Sequence, residues 1–213
     1  MKTVLVTGAS GFIGQILCKR LSEHGFRIKA VYRPSFKNIP DYVIPVLIDS
    51  IDNDTQWKQN LEDVSIVIHA AARVQMMKDT SLNPLEEYRK INYYGTARLA
   101  EEALKNGVEL FIHLSTAKVN GEGKNEPYTE NDPETPQDPY GVSKLEAEKK
   151  LAEISNGTSM RVVNARFPIV YGPGVKANFY SLIKLVSRTL PLPLQGIPNR
   201  RSFLYVENLC HAL

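Results

Sequence analysis

Short runs rich in apolar residues alternate along this chain with longer stretches whose apolar positions recur every three to four residues. The short runs fall at residues 4–6, 27–32, 43–48, 64–69, 109–114 and 159–166, and each predicts a strand. The fourth, residues 64–69, has the unbroken apolar character of a strand covered on both faces. Between them lie helical patterns. Ile16, Leu17, Arg20 and Leu21 share one face and stop at Gly25, and Trp57 and Leu61 mark a short helix. Tyr88, Ile91, Tyr94, Leu99, Ala103 and Leu104 define a long helix over 85–106, closed by Gly107. Residues 140–154 and 179–190 predict two more helices. A strand–helix alternation of this kind predicts a parallel, doubly wound α/β sheet of Rossmann type, with its ligand at the carboxyl ends of the strands. Gly8, Asp49, Ala70 to Ala72, and Ser115 with Thr116 all fall just after predicted strands, so one edge collects them into a cleft.

The remaining segments are less regular. Residues 120–139 form a loop too long for a simple connection, which predicts a functional Ω-type segment. Residues 168–174 read as a rigid turn, 191–198 as irregular, and 202–206 as a short strand. Residues 206–213 open an amphipathic helix that stops without a cap, so the sequence is expected to continue beyond Leu213. On this reading residues 1–166 are a dinucleotide-binding domain. Residues 167–213 begin a smaller C-terminal substrate domain, interleaved with a last segment of the first.

The first strand runs directly into Gly8, Gly11 and Gly14, spaced G-x-x-G-x-x-G, and then into a helix. Glycine lets a backbone approach a pyrophosphate closely, and a helix N-terminus presents unpaired N–H groups and a positive dipole end. The turn 8–14, with Ser10, Phe12 and Ile13 between its glycines, is therefore the expected phosphate cradle.

Composition narrows the classes. Hydrophobic residues make up 43% and charged residues 23%, ordinary for a globular chain. The net charge of +3 is not gathered into a run, which argues against a nucleic-acid partner. Cys18 and Cys210 lie far apart and suggest neither a disulfide framework nor a metal site. No apolar run is long enough for a bilayer and no leader precedes the first strand, so a cytoplasmic enzyme with no membrane partner is expected.

The candidate chemistry sits on the helix after the long loop. Tyr140 and Lys144 are one turn apart on one face. An ammonium beside a phenol favours the phenolate and is expected to draw the tyrosine down from about 10 toward neutrality, making it a proton acceptor for an alcohol or a donor to a carbonyl. Tyr180 and Lys184 repeat the spacing but lie among Leu182, Ile183 and Leu185, where packing is the simpler role. Thr116, with Ser115 as runner-up, offers a hydroxyl at a strand end, either as a cap or to hold a substrate oxygen. The second strand ends at Tyr32, followed by Arg33, where an NAD site would place a carboxylate. On charge alone Arg33 favours the 2′-phosphate of NADP. Asp49 is the expected acceptor for an adenine amine, with Ser50 beside it.

Six ordered motifs then carry a resemblance: T-G-A-S-G-F-I-G, H-A-A-A, I-N-Y-Y-G-T, L-S-T-A-K-V-N-G, Y-G-V-S-K and R-F-P-I-V-Y-G-P-G. Together they resemble extended short-chain dehydrogenases/reductases of the NAD-dependent epimerase/dehydratase branch, over nearly the whole chain. The resemblance implies Thr116, Tyr140 and Lys144 as catalytic residues, with Asn120 standing where the family has a tyrosine. It implies that Lys144 also holds the ribose hydroxyls of the nicotinamide, and that Tyr140 and Phe167 also bind the cofactor. Ser115, Asn178 and Arg201 are implied for the substrate, Arg201 for its phosphates, although Arg200 and Arg201 also read as a solvated pair. Asn92 matches a residue behind the site that is more often structural.

The function implied first is 4-epimerisation of a nucleotide sugar of UDP-hexose type with a retained NAD. An NADPH-dependent reductase of a 4-keto sugar or small carbonyl comes second, and a non-catalytic dinucleotide-binding protein third. No metal is implied. Family members commonly form homodimers through the helices predicted at 85–106 and 140–154.

Overall fold

The computed structural model of the protein describes residues 1–74, 81–124, 126–175, 177–187 and 200–213, with only the backbone of 177 and 178. Six parallel strands form one sheet: β1 (Thr3–Thr7), β2 (Arg27–Tyr32), β3 (Ile44–Leu47), β4 (Ile66–His69), β5 (Leu110–Leu114) and β6 (Arg161–Ala165). Their spatial order is β3-β2-β1-β4-β5-β6. The order reverses between β1 and β4, and at such a switch point the loops diverge and leave a crevice.

Helices cover both faces. Val4 and Val6 pack with Leu17 and Cys18 of α1 (Phe12–Glu23) and with Cys210 of α6 (Val206–Ala212). Leu5 and Phe111 point the other way, onto Trp57, Leu61, Leu99 of α3 (Thr96–Lys105) and Leu151 of α4 (Pro139–Ser155). Burial pushes the Cys18 thiol up to about 12, as suits a small core residue.

Two expectations need correction. The long helix over 85–106 is three segments: α2 (Pro84–Arg89), a π-helical turn (Lys90–Gly95) and α3. Asn83 caps α2 by accepting from the Glu86 N–H at 3.3 Å. In the π turn, the Thr96 hydroxyl donates to the Asn92 carbonyl at 2.7 Å, so Asn92 and Thr96 both turn inward, fully buried. Periodicity alone does not reveal such a turn, because an added residue shifts the apolar face without erasing it.

The segment expected as a rigid turn contains β7 (Ile169–Tyr171), which pairs in parallel with β8 (Phe203–Tyr205) as a separate sheet. Helix α5 (Ala177–Val186) rests on it through Phe179, whose ring lies 5.4 Å from Tyr171 and 5.3 Å from Phe203. Tyr180, Leu182, Ile183 and Leu185 are consequently exposed, so the packing role expected for Tyr180 is not observed. The irregular stretch expected at 191–198 lies outside the described residues.

Candidate active site

The glycine turn is built for close approach. Gly8 has a φ of +69°, and a Cβ there would stand 2.8 Å from the Ala70 and Ala71 backbone. A Cβ on Gly14 would stand 2.2 Å from the Gly8 carbonyl oxygen. The turn therefore folds flat onto the end of β4 and draws the N-terminus of α1 up to it. Gly11 donates to the Gly8 carbonyl at 2.9 Å, and Ala71 to the Thr7 hydroxyl at 3.1 Å. Ala70, Ala71 and Ala72 are half-buried along this wall, and Phe12 and Ile13 pack back into the core. Ser10 stays exposed, its carbonyl accepting from the Gln15 side chain at 2.8 Å. The absence of Cβ atoms lets the turn pack this closely and brings the N-terminus of α1 to the sheet edge, an arrangement that fits the pyrophosphate of a dinucleotide.

At the far edge Tyr32 is buried in the core and stacks on Phe36 at 5.0 Å, while Arg33 is exposed. Asp49 and Ser50 are exposed after β3, and the Ser50 hydroxyl donates to Asp52.

Helix α4 starts at Asp138, which accepts from the Gly141 N–H at 2.7 Å, with Pro139 in the first turn. Lys118 pairs with the same carboxylate. A Cβ on Gly141 would stand 3.2 Å from the Lys118 carbonyl oxygen, so the start of α4 lies against the short turn that follows Thr116. Thr116 caps that turn by accepting from the Lys118 N–H at 3.3 Å. The loop before α4 is folded by its own contacts: Asn120 donates to the Asp132 carbonyl at 3.3 Å, and Thr135 to the Asn120 carbonyl at 3.0 Å.

The expected Tyr140–Lys144 couple is corrected by the geometry. Lys144 is fully buried and its Nζ lies 2.7 Å from Nε2 of His113, on β5. Burial pulls the ammonium down to about 7, against a rise from Glu148. Tyr140 is half-buried, with its ring edge-on to Tyr88 at 6.1 Å. Burial of its phenol, followed by the charge of Asp138 and by Tyr88, pushes it up to about 12. Burial thus favours the neutral phenol, the opposite of the lowering that spacing predicts. Helical spacing sets a shared face, but burial sets the proton affinity.

Ser115 is likewise corrected. It is 1% exposed and its hydroxyl donates to Glu148, so it is committed to the interior. Glu148 is gripped by Arg166, whose other contact is Glu134 of the long loop. Arg201 pairs with Glu122 at 3.4 Å. The side chain of Asn178 lies outside the described residues. Phe167 is half-buried in the core, and its carbonyl accepts from the Ala117 N–H at 3.0 Å. Asn92 clamps the site from behind: its Oδ1 accepts from the Arg73 N–H at 2.8 Å and its Nδ2 donates to Ser143 at 3.0 Å.

Reading the motifs gives no role to several residues around the site, His69, His113, Asn164, Glu148 and Arg166, although His69 opens the H-A-A-A motif and Arg166 the R-F-P-I-V-Y-G-P-G motif. The two histidines could have been noticed, because each is a polar residue set at the end of an otherwise apolar strand. Such a residue needs buried partners. Among the described residues, no group of His, Cys, Asp or Glu is arranged to hold a metal, and no helix is long and apolar enough to cross a membrane.

The family model of the NAD dependent epimerase/dehydratase family matches residues 4–213. A UDP-glucose 4-epimerase of Vibrio cholerae is 41% identical over 212 residues, which is 98% of this chain and 64% of that protein. The chain thus spans less than two thirds of that relative's length. Among solved structures, MoeE5 in complex with UDP-glucose and NAD superposes with a TM-score of 0.80 at 31% identity, covering 99% of this chain and 70% of that one. A UDP-glucuronic acid 4-epimerase of Bacillus cereus in complex with NAD gives 0.80 at 28% identity, covering 98% and 71%. The glycine turn at the switch point, the Tyr140–Lys144 helix beside the Thr116 turn, and a match over almost the full length together place this chain in the NAD-dependent epimerase/dehydratase family.

Proposed function

We propose that this chain carries the dinucleotide site and catalytic centre of a nucleotide-sugar 4-epimerase, acting on a substrate of UDP-hexose type. The observation that carries the reading is that the start of α4, which bears Tyr140, lies against the turn that follows Thr116, at the strand edge that holds the glycine turn. When bound, an oxidised nicotinamide supplies a hydride acceptor for the sugar C4 and a positive charge beside the phenol. Tyr140 takes the proton of the C4 hydroxyl and returns it after the 4-keto sugar has presented its other face. Thr116 holds the C4 oxygen in line. Lys144, one turn on, provides the second positive charge that lowers the phenol from about 12. Arg201, now paired with Glu122, is the candidate for the substrate phosphates, because its planar fork matches them. Residues 167–213 then begin the substrate-binding part. The same reading carries a homodimer through α2, α3 and α4, which sedimentation of the full protein would test.

Tyr140→Phe is expected to lower turnover on the order of 10²–10⁴-fold, the range for removing a general acid or base. Near-normal turnover would remove Tyr140 from this role. A second reading, a one-way NADPH-dependent reductase of a 4-keto sugar or small carbonyl, is favoured by Arg33, which is exposed at the end of β2. Purifying the protein without added cofactor and identifying the dinucleotide released on denaturation separates them. Retained NAD supports the epimerase, which regenerates its cofactor each cycle. No retained cofactor, with NADPH bound more tightly than NADH, supports the reductase.

A further inference from the structure

We propose that His113 is the positioning residue for Lys144: its ring nitrogen accepts one N–H of the buried ammonium and holds that charge for Tyr140 without neutralising it, while Asn164 fixes the ring from the other side. The proposal rests on the reading of Tyr140 and Lys144 as a catalytic pair.

The geometry runs from strand to helix. His113 and Asn164 are register partners on β5 and β6. The Asn164 Oδ1 lies 3.0 Å from His113 Nδ1, and an amide oxygen only accepts, so Nδ1 carries the ring hydrogen. Nε2 is then a lone pair, and Lys144 Nζ approaches it to 2.7 Å. Both residues are buried, with His113 at 0% and Lys144 at 1% exposure. Burial first, then the charge of Lys144, hold the imidazole far below its ordinary value, so it stays a neutral acceptor.

Neutrality is the useful property. A buried ammonium ordinarily needs a carboxylate, and a carboxylate would cancel the field that a phenolate requires. Among the described residues, no carboxylate forms an ion pair with Lys144. The nearest candidate on its own helix, Glu148, is occupied by Arg166 and Ser115. The other groups around the pair are His69, stacked on His113 at 6.0 Å, and Tyr140, itself flanked by Asp138 and Tyr88. An ammonium has three donors, and His113 takes one, which leaves others for the cofactor and phenol side.

The first test needs no substitution. In the wild-type protein, ¹⁵N NMR of the His113 ring should show the Nδ1–H tautomer, and an Nε2–H ring would overturn the proposal. The second compares His113→Gln with His113→Asn in the full protein. Glutamine can place its oxygen where Nε2 sits, whereas asparagine replaces Nδ1 and stops short of Lys144. His113→Gln is expected to keep kcat within about threefold and to leave the ascending limb of kcat/KM against pH in place. His113→Asn should lose kcat by about tenfold or more, with that limb moved up by about one pH unit, because a lysine without its acceptor holds its proton less tightly and supports the phenolate less. Titration of the Lys144 ¹⁵Nζ should show its pKa lowered in the asparagine variant and retained in the glutamine variant. Equal behaviour of the two variants would overturn the proposal. Lys144→Met and Tyr140→Phe are measured alongside. If those keep turnover, the catalytic reading fails, while the tautomer and the lysine titration still decide the role of His113.

Discussion

His69 and His113 stand side by side on neighbouring strands, register partners with rings 6.0 Å apart, both fully buried. They do different things. Around His69 every hydrogen has a place. The Thr96 hydroxyl donates to the Asn92 carbonyl at 2.7 Å, so it must accept from His69 Nε2–H at 2.9 Å. His69 Nδ1 therefore accepts from the Thr7 hydroxyl at 2.7 Å, and Thr7 accepts from the Ala71 N–H. That chain runs from backbone to backbone and ties β1, β4 and α3 together. Around His113 the chain starts on a neutral amide and ends on an ammonium. The same residue type at the same depth is a brace in one case and a charge holder in the other, because the partners on both sides of the ring differ.

The contrast can be broken in several ways, beginning with the largest effect. Lys144→Met should reduce turnover on the order of 10²–10⁴-fold, yet leave the melting temperature near or above that of wild type, because a buried charge is costly and an apolar chain of similar length fills its place. Loss of folding together with activity would make Lys144 part of the scaffold instead. His69→Leu should do the reverse. It strands the hydroxyls of Thr7 and Thr96 and should destabilise the fold by about 2–4 kcal/mol in urea unfolding, with the pH profile of kcat/KM unmoved. A shifted profile would merge the two histidines into one functional unit.

The pH dependence of stability is the next handle. Burial, with a smaller push from Lys144, lowers His69 to about 3, and His113 is lowered too. Below about pH 6.5 the unfolded chain binds protons at these histidines and the folded chain does not, so stability falls as pH falls. The slope should be about 1.4 kcal/mol per pH unit for each histidine between about pH 6.5 and 5, and His69→Leu should halve it. A flat stability curve there would mean that at least one ring accepts a proton in the folded state. The smallest effect concerns Ser115→Ala. It should cost about 1 kcal/mol, since Glu148 keeps Arg166, and should leave the substrate KM unchanged. A raised KM would return Ser115 to the substrate side.

Much of the frame was legible in residue order. The expected bounds of β2 match those observed, residues 27–32, and the other five strands of the main sheet were located within two residues at either end. The glycine turn could be read because its glycines are close neighbours in the chain, Gly14 meeting the Gly8 carbonyl itself, although the strand end that Gly8 must clear, at Ala70 and Ala71, is remote in sequence. The site's polar wiring could not. His113 meets Lys144 across 31 positions and Asn164 across 51, and Thr7 meets His69 across 62. No spacing rule reaches that far. Tyr140 shows the same limit on a single helix. Its four-residue spacing from Lys144 was correct as geometry, but the ammonium turns to a strand and the phenol is raised by burial.

The sequence by itself determined the alternating strands and helices, the parallel sheet that follows from them, the glycine turn, and the family to which its motifs point, because each depends on periodicity or on neighbours within a few residues. The tertiary structure decided which polar groups face the cleft and which are sealed away, and hence which protons are held and how tightly. Those properties depend on desolvation and on partners brought together by strand pairing and helix packing, and neither is written in any local stretch of the chain.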